Sequence, residues 1–179
     1  MKIMKYSPIK IIERFFKNQD PLNILDIGCT PNPTFLANLT SQTTRHFTLL
    51  GIDKNLSHAG FYSTPSWLPE GISIKEISIE NLAQNPDNKF EVIFINGPNP
   101  SHDIPSMVNA AKQALSRLGR LLLTPYFADV GQIEELLNGN NIRIKNRFES
   151  NGVDWNPKHI FLNSEDFLGN HNYGSIYEL

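Results

Sequence analysis

Polar side chains close several apolar runs of this sequence and could together bind a small molecule. Asp26 ends one run, Asp53 ends the run TLLGID, Ser78 follows a third run, and Asn96 ends FEVIFIN. Runs of this length and apolarity are typical of buried parallel strands. Because ligands of open α/β sheets bind beyond the carboxyl ends of such strands, we expect these side chains to share one site.

Asp53 offers the most specific binding chemistry of this set. A carboxylate at the end of a strand can accept hydrogen bonds from both ribose hydroxyls of a nucleoside. The alternative is that Asp53 only caps a helix or stabilises a turn, as aspartate commonly does. Its position after the turn that contains Gly28 favours ribose binding.

The turn after the first strand reads DIGCTPNP, from Asp26 to Pro33. Glycine in such a turn lets the backbone adopt a positive φ and approach a ligand closely, and only Gly28 supplies it here. The dinucleotide fingerprint G-x-G-x-x-G would need glycine at Thr30 and at Pro33, so an NAD enzyme is disfavoured. Asp26 either accepts hydrogen bonds from backbone N–H groups of its own turn or lies near a ligand ammonium group.

These segments resemble class I S-adenosylmethionine-dependent methyltransferases over roughly Ile24 to Ile144. DIGCTPNP resembles their first motif, D/E-x-G-x-G-x-G, with Thr30 and Asn32 in the place of two glycines. SIENL, which starts at Ser78, resembles the segment that contacts adenine, and FEVIFING with GRLLL resembles FDLIFIDG and GGRLLL. On these motifs the chain is identified as a divergent member of the superfamily.

The resemblance implies S-adenosylmethionine as the cofactor. It places Asp53 at the ribose, Ser78 at the adenine amino group, where relatives often have aspartate, and Ile79 against the adenine ring. Asn96 stands where many relatives have an aspartate near a metal or the methyl acceptor. A neutral amide is a poor ligand for a hard cation, so no metal is implied. The full set of implied cofactor-binding residues is Asp26, Gly28, Thr30, Asp53, Ser78, Ile79 and Asn96.

The implied reaction is in-line transfer of a methyl group to an O, N or C nucleophile of a small-molecule acceptor. The protein would align donor with acceptor, exclude water and in some cases remove a proton. His102 and Asp103, in the Pro-rich loop 98–105, are the candidate bases. The alternatives are a surface histidine and an aspartate that caps the following helix.

Two other functional classes remain open. The departures from the family pattern at Thr30, Ser78 and Asn96 also fit a methyltransferase-like scaffold that has lost its cofactor affinity. A nucleotide-dependent enzyme of another class is the third interpretation, because a fold does not fix a function. The enzyme hypothesis predicts that Asp53 faces an open cleft, whereas the scaffold hypothesis predicts that side chains of residues 30–33 fill it.

Periodicity and capping residues predict the elements that must position the site. A leading amphipathic helix starts after Ser7 and ends near Asn18. Tyr6 or Phe15 of this segment could form a lid over the acceptor pocket, and Tyr126 could border that pocket. Strands are predicted at 23–27, 48–53, 72–78, 90–96, 120–124 and 142–148, with a final strand at 159–162, at 175–177 or at both. Helices are predicted at 32–39, from about 107 to 118 with Gly119 as the C-terminal residue in the αL region, and at 129–139.

These elements predict an α/β fold with a doubly wound, mostly parallel sheet of about six or seven strands and helices on both faces. The 179 residues, 40% of them apolar, can bury one substantial core. We therefore expect one domain over residues 1–179. It consists of a leading helix at 1–20, a cofactor-binding core at 22–148 and a C-terminal strand region at 149–179.

Composition excludes several classes of partner. The net charge is −2 and no basic run is present, which argues against nucleic-acid binding. The only cysteine, Cys29, cannot form an intramolecular disulfide and is expected to be a small packing residue. No long apolar run and no signal-like segment occurs, so we expect a cytoplasmic protein that does not bind membranes. The short chain leaves the acceptor pocket to be completed by its own loops, by a protein partner or by a second copy in a homo-oligomer.

Overall fold

The computed structural model describes residues 4–5, 8–29, 34–56, 68–98, 100–125, 130–149 and 175–179. Its helices are α1 (Pro8–Phe15), α2 (Thr34–Ser41), α3 (Ile79–Ala83), α4 (Ile104–Ala114) and α5 (Val130–Gly139). Its strands are β1 (Met4–Lys5), β2 (Leu22–Ile27), β3 (Phe47–Asp53), β4 (Ile72–Glu76), β5 (Phe90–Asn96), β6 (Leu115–Thr124), β7 (Asn146–Glu149) and β8 (Ser175–Glu178).

The strands form one sheet in the order β1-β7-β8-β6-β5-β2-β3-β4. Neighbours from β6 to β4 pair in parallel, whereas β8 runs antiparallel to both β6 and β7. The strand β2 lies inside the sheet with β3 and β5 on its two sides, so the direction of winding switches there. The predicted doubly wound, mostly parallel α/β sheet is confirmed. The described residues contribute eight strands rather than six or seven, because β1 was not predicted.

Apolar side chains on both faces of the sheet explain why the central strands are buried. On one face, Ile104 and Val108 of α4 and Ile133 of α5 pack with strand residues such as Ile95. On the other face, side chains of α1 and α2 form a second cluster with residues of β2 and β5, and the ring of Phe35 lies edge-on to Phe94 at 4.9 Å. Helices therefore cover both faces, as the sequence predicts.

The predicted end of the helix at about 107–118 is wrong. α4 ends at Ala114, Leu115 already belongs to β6, and Leu118 is 79% exposed rather than part of a buried helical face. Leu115 pairs with Phe90 and Arg120 pairs with Val92, so the residues between them form an irregularity in the strand. Gly119 lies inside this irregularity, where a Cβ would come within 2.8 Å of Leu115 Cγ. The glycine is needed because Leu115 folds against it, not because it ends a helix.

Other boundaries differ from the predictions by a few residues. α1 ends at Phe15, although the N–H of Phe16 still donates to the carbonyl of Ile12 at 2.9 Å. β4 ends at Glu76 because Ser78 instead caps the N-terminus of α3, and β7 begins only at Asn146. Of the two candidate final strands, 175–177 is confirmed within β8, and 159–162 lies outside the described residues.

Phe15 does not line the described cavity. Its ring lies edge-on to Phe148 at 6.4 Å, and the guanidinium of Arg120 stacks over it at 4.3 Å. Tyr6, the other lid candidate, and Tyr126, expected to border the acceptor pocket, lie outside the described residues. Among the described helices, none combines the length and apolarity needed to cross a membrane.

Candidate functional site

The carboxyl ends of four neighbouring parallel strands surround an open cavity of about 370 Å³. The ends of β2, β3 and β5 and the segment that follows β4 each deliver residues to its wall, and the first turns of α3 and α4 close two further sides. Seven residues that the sequence singled out line this cavity: Gly28, Asp53, Ser78, Ile79, Asn96, His102 and Asp103. Thr30, also singled out, lies outside the described residues.

Gly28 turns the chain away from β2 at the wall of the cavity. Its φ is +83°, a conformation that residues with a Cβ rarely adopt, and a Cβ there would lie 3.0 Å from the carbonyl oxygen of Asn96. The N–H of Gly28 donates to the carbonyl of Ile52 at 2.9 Å, which joins the end of β2 to the end of β3. Both strain and space therefore restrict this position to glycine.

Asp53 ends β3 and is half-buried at the cavity wall. Its Oδ1 accepts a hydrogen bond from the backbone N–H of Asn55 at 2.9 Å. The structure thus shows the turn role that the sequence allowed, and it also places the carboxylate where a ligand in the cavity can reach it. The two roles are compatible, because a carboxylate has about four acceptor positions on its two oxygens.

Ser78 precedes α3, and Ile79 is the first residue of that helix. The Ser78 Oγ accepts from the backbone N–H of Asn81 at 3.3 Å, so the serine is the N-cap of the helix. A serine hydroxyl that accepts in this way can still donate its own hydrogen to a ligand. Ile79 is almost fully buried but exposes one side to the cavity as an apolar wall.

A buried chain of polar side chains lies behind the cavity wall. The Nδ2 of Asn96 donates to Asp26 Oδ1, and the hydroxyl of Thr124 donates to Asn96 Oδ1. All three side chains are less than a tenth exposed, and of the three only Asn96 lines the cavity. Thr124 was missed at the level of sequence. The one available signal was that it ends the apolar run RLLLT, as Asn96 ends FEVIFIN.

Burial changes the acidity of Asp26. Desolvation raises its pKa from 3.8 to about 7, the hydrogen bond from Asn96 opposes the rise, and repulsion from Asp53 adds to it. Asp26 Oδ2 is buried and has no hydrogen-bond partner among the described residues. The carboxyl group therefore lies in the interior of the sheet, where the charged form is poorly stabilised.

His102 and Asp103 lie at the rim where α4 begins, and both are exposed. Asp103 Oδ1 accepts from the backbone N–H of Ser106 at 3.1 Å, so Asp103 caps the helix, as the sequence also allowed. Ser106 and Met107 line the cavity as well and were not singled out as site residues. The predicted helix began at about Met107, but α4 starts at Ile104. Ser106 and Met107 therefore lie in its first turn, beside the cavity.

Cys29 is buried, and burial raises the pKa of its thiol, which fits the expected packing role rather than a thiolate. Within the part of the chain that the structure describes, no three His, Cys, Asp or Glu side chains are grouped so that they could hold a metal ion.

No protein-family model matches this chain, and no curated protein sequence does. Solved structures do match. A methyltransferase described as SAM-dependent, from Aquifex aeolicus, aligns over 97% of this chain and 88% of its own, with a TM-score of 0.57 and 14% identity. Another, from Thiobacillus denitrificans and in complex with S-adenosyl-L-homocysteine, aligns over 84% and 70%, with a TM-score of 0.51 and 12% identity.

The chain has the class I S-adenosylmethionine-dependent methyltransferase fold. The same fold also matches the [4+2]-cyclase SpnF, over 78% of this chain and 57% of the cyclase, with a TM-score of 0.52 and 15% identity. This chain spans only 35% of the length of coclaurine N-methyltransferase, another protein with a matching solved structure. The methyltransferase fold is thus shown, whereas the reaction has to be argued from the residues of the site.

Proposed function

We propose that this chain binds S-adenosylmethionine in the described cavity and transfers its methyl group to a small-molecule acceptor. The observation that carries the proposal is the position of Asp53, which ends β3 on the wall of an open cavity next to the strand-order switch point. In open α/β sheets this is where nucleoside ligands bind and where a carboxylate can accept from ribose hydroxyls.

The residues present fit the cofactor in size and in chemistry. A cavity of about 370 Å³ lies within the range of small-molecule sites, roughly 300–1,000 Å³. Asp53 would hold the ribose, Ser78 would donate to an adenine ring nitrogen, and Ile79 with Ile52 would pack against the ring. The close approach at Gly28, where a Cβ has no room, is what a ligand-facing turn requires.

When bound, S-adenosylmethionine supplies an activated methyl group on a positively charged sulfur, which explains why the site can function without a fixed acid or base. The chain's own residues then align the two reactants and exclude water. His102 is the described residue best placed to accept a proton from an acceptor, because it is exposed at the cavity rim and its side chain has no assigned structural role. Asp103 is less suited, since its carboxylate caps α4.

Calorimetric titration with S-adenosylhomocysteine tests the proposal. Wild-type protein should bind it saturably, and Asp53→Ala should weaken binding by roughly tenfold or more, because hydrogen bonds to a charged group are stronger than neutral ones. Glu76→Ala is the matched control. Glu76 faces Asp53 in the strand register and carries the same charge but does not line the cavity.

Two results would contradict the proposal. The first is equal affinity in wild type and Asp53→Ala, which would place the nucleoside elsewhere. The second is no binding up to about 1 mM, where the binding free energy is only about −4 kcal/mol. This second result would favour the interpretation as a methyltransferase-like scaffold without cofactor affinity.

A further inference from the structure

The order of the strands sets the direction in which a bound nucleoside extends. Along the cavity wall, Ile79 follows β4 and Asp53 ends β3. Gly28 and Asn96 come next, at the ends of β2 and β5. The base and the 5′ carbon leave a ribose on opposite sides of its ring. With the adenine beside Ile79 and the ribose at Asp53, the sulfur on the 5′ carbon therefore lies over the ends of β2 and β5.

Asp26 lies directly behind this part of the wall. It belongs to the end of β2, it is 1% exposed, and its Oδ1 accepts from the Nδ2 of Asn96, which does line the cavity. Neighbouring strands of a sheet are about 5 Å apart, a distance over which charges act strongly on a buried carboxyl group. A charge on the sulfur would therefore act on Asp26 without touching it.

Without a positive charge nearby, the surroundings of Asp26 favour its neutral form. Its Oδ2 is buried and has no hydrogen-bond partner among the described residues, so an ionised oxygen there would lack a donor. The proton of the neutral form can sit on Oδ2 while Oδ1 still accepts from Asn96. Burial accordingly raises the pKa of this carboxyl group to about 7.

In the described part of the chain, the groups that face Asp26 are negative or uncharged. β3 contributes the carboxylate of Asp53, which repels a second negative charge. The turn after β2 contributes Cys29, whose thiol stays neutral because burial raises its pKa. β5 and β6 contribute the amide of Asn96 and the hydroxyl of Thr124, and α2, which covers this face of the sheet, has no ionisable side chain.

Two basic residues line the cavity itself, Lys54 after β3 and His102 before α4. Both are exposed, so water and salt screen their charges. A positive charge that acts strongly on Asp26 therefore has to come from a ligand.

We propose that Asp26 lets the site distinguish the sulfonium donor from the thioether product, because it gives up its proton when a positively charged sulfur lies over the ends of β2 and β5. An opposite charge within about 4–6 Å stabilises an ionised carboxyl group and lowers its pKa by about 1–3. The neutral sulfur of S-adenosylhomocysteine has no such effect, so Asp26 stays protonated beside it. The inference rests on the proposed function and adds the residue that selects for the charge of the cofactor.

Proton release on binding makes affinity depend on pH. A ligand that lowers the pKa of Asp26 binds more tightly as the pH rises, up to the pKa of about 7 that Asp26 has without that ligand. Between pH 5.5 and 7.5 the affinity for S-adenosylmethionine should rise roughly tenfold, while that for S-adenosylhomocysteine should stay constant within about twofold. The two ligands share the same amino-acid part, so its charges cancel in the comparison.

Calorimetric titration at pH 6.5 in two buffers of different ionisation enthalpy, PIPES and Bis-Tris, counts the released protons. Each bound S-adenosylmethionine should release about 0.5–0.8 protons, and S-adenosylhomocysteine close to none. Asp26→Asn keeps an acceptor for Asn96 but has no proton to lose, so it should abolish both the release and the rise of affinity with pH. Glu76→Gln, which removes a carboxylate that pairs with Asp53 in the strand register but does not line the cavity, should behave as wild type.

The wild-type protein alone can overturn the inference, through equal proton release with the two ligands. Release that persists in Asp26→Asn would assign the proton to another group, such as His102, and would overturn it as well. In both cases the nucleosides still bind, so the proposed function stands. Binding of neither nucleoside would instead refute the proposed function, and this inference with it.

Discussion

Asp26 shows how a single buried carboxyl group couples the site to pH. Its folded-state pKa is raised to about 7 by burial, against 3.8 for the free side chain. Between these values the folded protein binds more protons than the unfolded chain, so the free energy of unfolding decreases as the pH rises through this window. The free-energy cost of burying the ionised Asp26 is absent below about pH 4 and complete above about pH 7.

Asp26→Asn should remove this dependence. The amide oxygen of the substituted side chain can still accept from Asn96, while no charge has to be buried. At pH 8 the variant should be more stable than wild type by up to about 4 kcal/mol, the equivalent of three pKa units, and at pH 4 the two should be similar. Urea unfolding at pH 4, 6 and 8 measures the difference. A difference in unfolding free energy between the two proteins that stays the same at pH 4, 6 and 8 would contradict a raised pKa of Asp26.

Gly28→Ala tests whether the turn after β2 serves the ligand. We expect a loss of about 1–3 kcal/mol in unfolding free energy from the positive φ, and weaker S-adenosylhomocysteine binding, because the new Cβ displaces the Asn96 carbonyl. Gly71→Ala is the matched control. Gly71 has a φ of +88° but does not line the cavity, so this variant should lose stability without losing affinity. Equal losses of affinity in both variants would show that backbone strain weakens ligand binding wherever it is introduced, and that the turn at Gly28 has no special role.

Site residues that follow the end of a strand are predictable from the sequence. Asp53, Ser78 and Asn96 each follow an apolar run, and parallel strands bring such ends together. Thr124 escaped because its role depends on the register of β6 against β5, which pairs it with Asn96. A contact between side chains that lie 28 residues apart on two strands leaves no local pattern in the sequence.

At the scale of elements, the junction of α4 with β6 shows where periodicity misleads. Leu118 lies at helical spacing from Leu115 and Ala111, which predicts a continuous buried face. The structure instead exposes Leu118 and pairs the backbone of Leu115 with Phe90. Pairing with the distant strand β5 decides whether residues 115–118 form a helix or a strand. The short apolar runs of β2, β3 and β5 carry no such ambiguity, and their pattern alone predicts strands.

Two glycine variants test this account of the junction. Gly119→Ala should destabilise the protein by about 1–3 kcal/mol, because the Cβ would meet Leu115 at 2.8 Å and the Phe90 carbonyl at 3.0 Å. Gly131→Ala, in the first turn of α5, has open space around it and should stabilise by up to about 1 kcal/mol. Thermal unfolding of both variants gives the comparison. Stabilisation by Gly119→Ala would instead indicate that the helix continues to Leu118.

Besides its backbone pairing, β8 is tied to β6 by an ion pair whose carboxylate is buried and whose guanidinium is partly exposed. Glu178 is fully buried, its Oε1 accepts from Arg120 of β6, and its Oε2 accepts from Asn146 of β7 at 2.6 Å. Arg120→Met should cost about 3 kcal/mol, because it leaves a buried carboxylate without its cation. Adding Glu178→Gln in the same chain should recover at least half of that loss in urea unfolding. No recovery would mean that Arg120 contributes mainly by packing on Phe15.

At the scale of the whole molecule, the sheet brings the polar ends of distant segments to one edge. The described cavity collects residues from 27 to 107 of the sequence, and each is delivered near the end of a strand or the start of a helix. The fold was predictable because its central strands are short, apolar and separated by connections long enough for right-handed crossovers. The reaction is not set by that fold, which SpnF shares as a [4+2]-cyclase.

A crystal structure of the protein with S-adenosylhomocysteine would show directly whether Asp53 binds the ribose. We expect the adenosine in the cavity, with its ribose hydroxyls within hydrogen-bonding distance of the Asp53 carboxylate and its adenine beside Ile79. A nucleoside bound away from Asp53, or no bound nucleoside from crystals grown at millimolar concentration, would contradict this expectation.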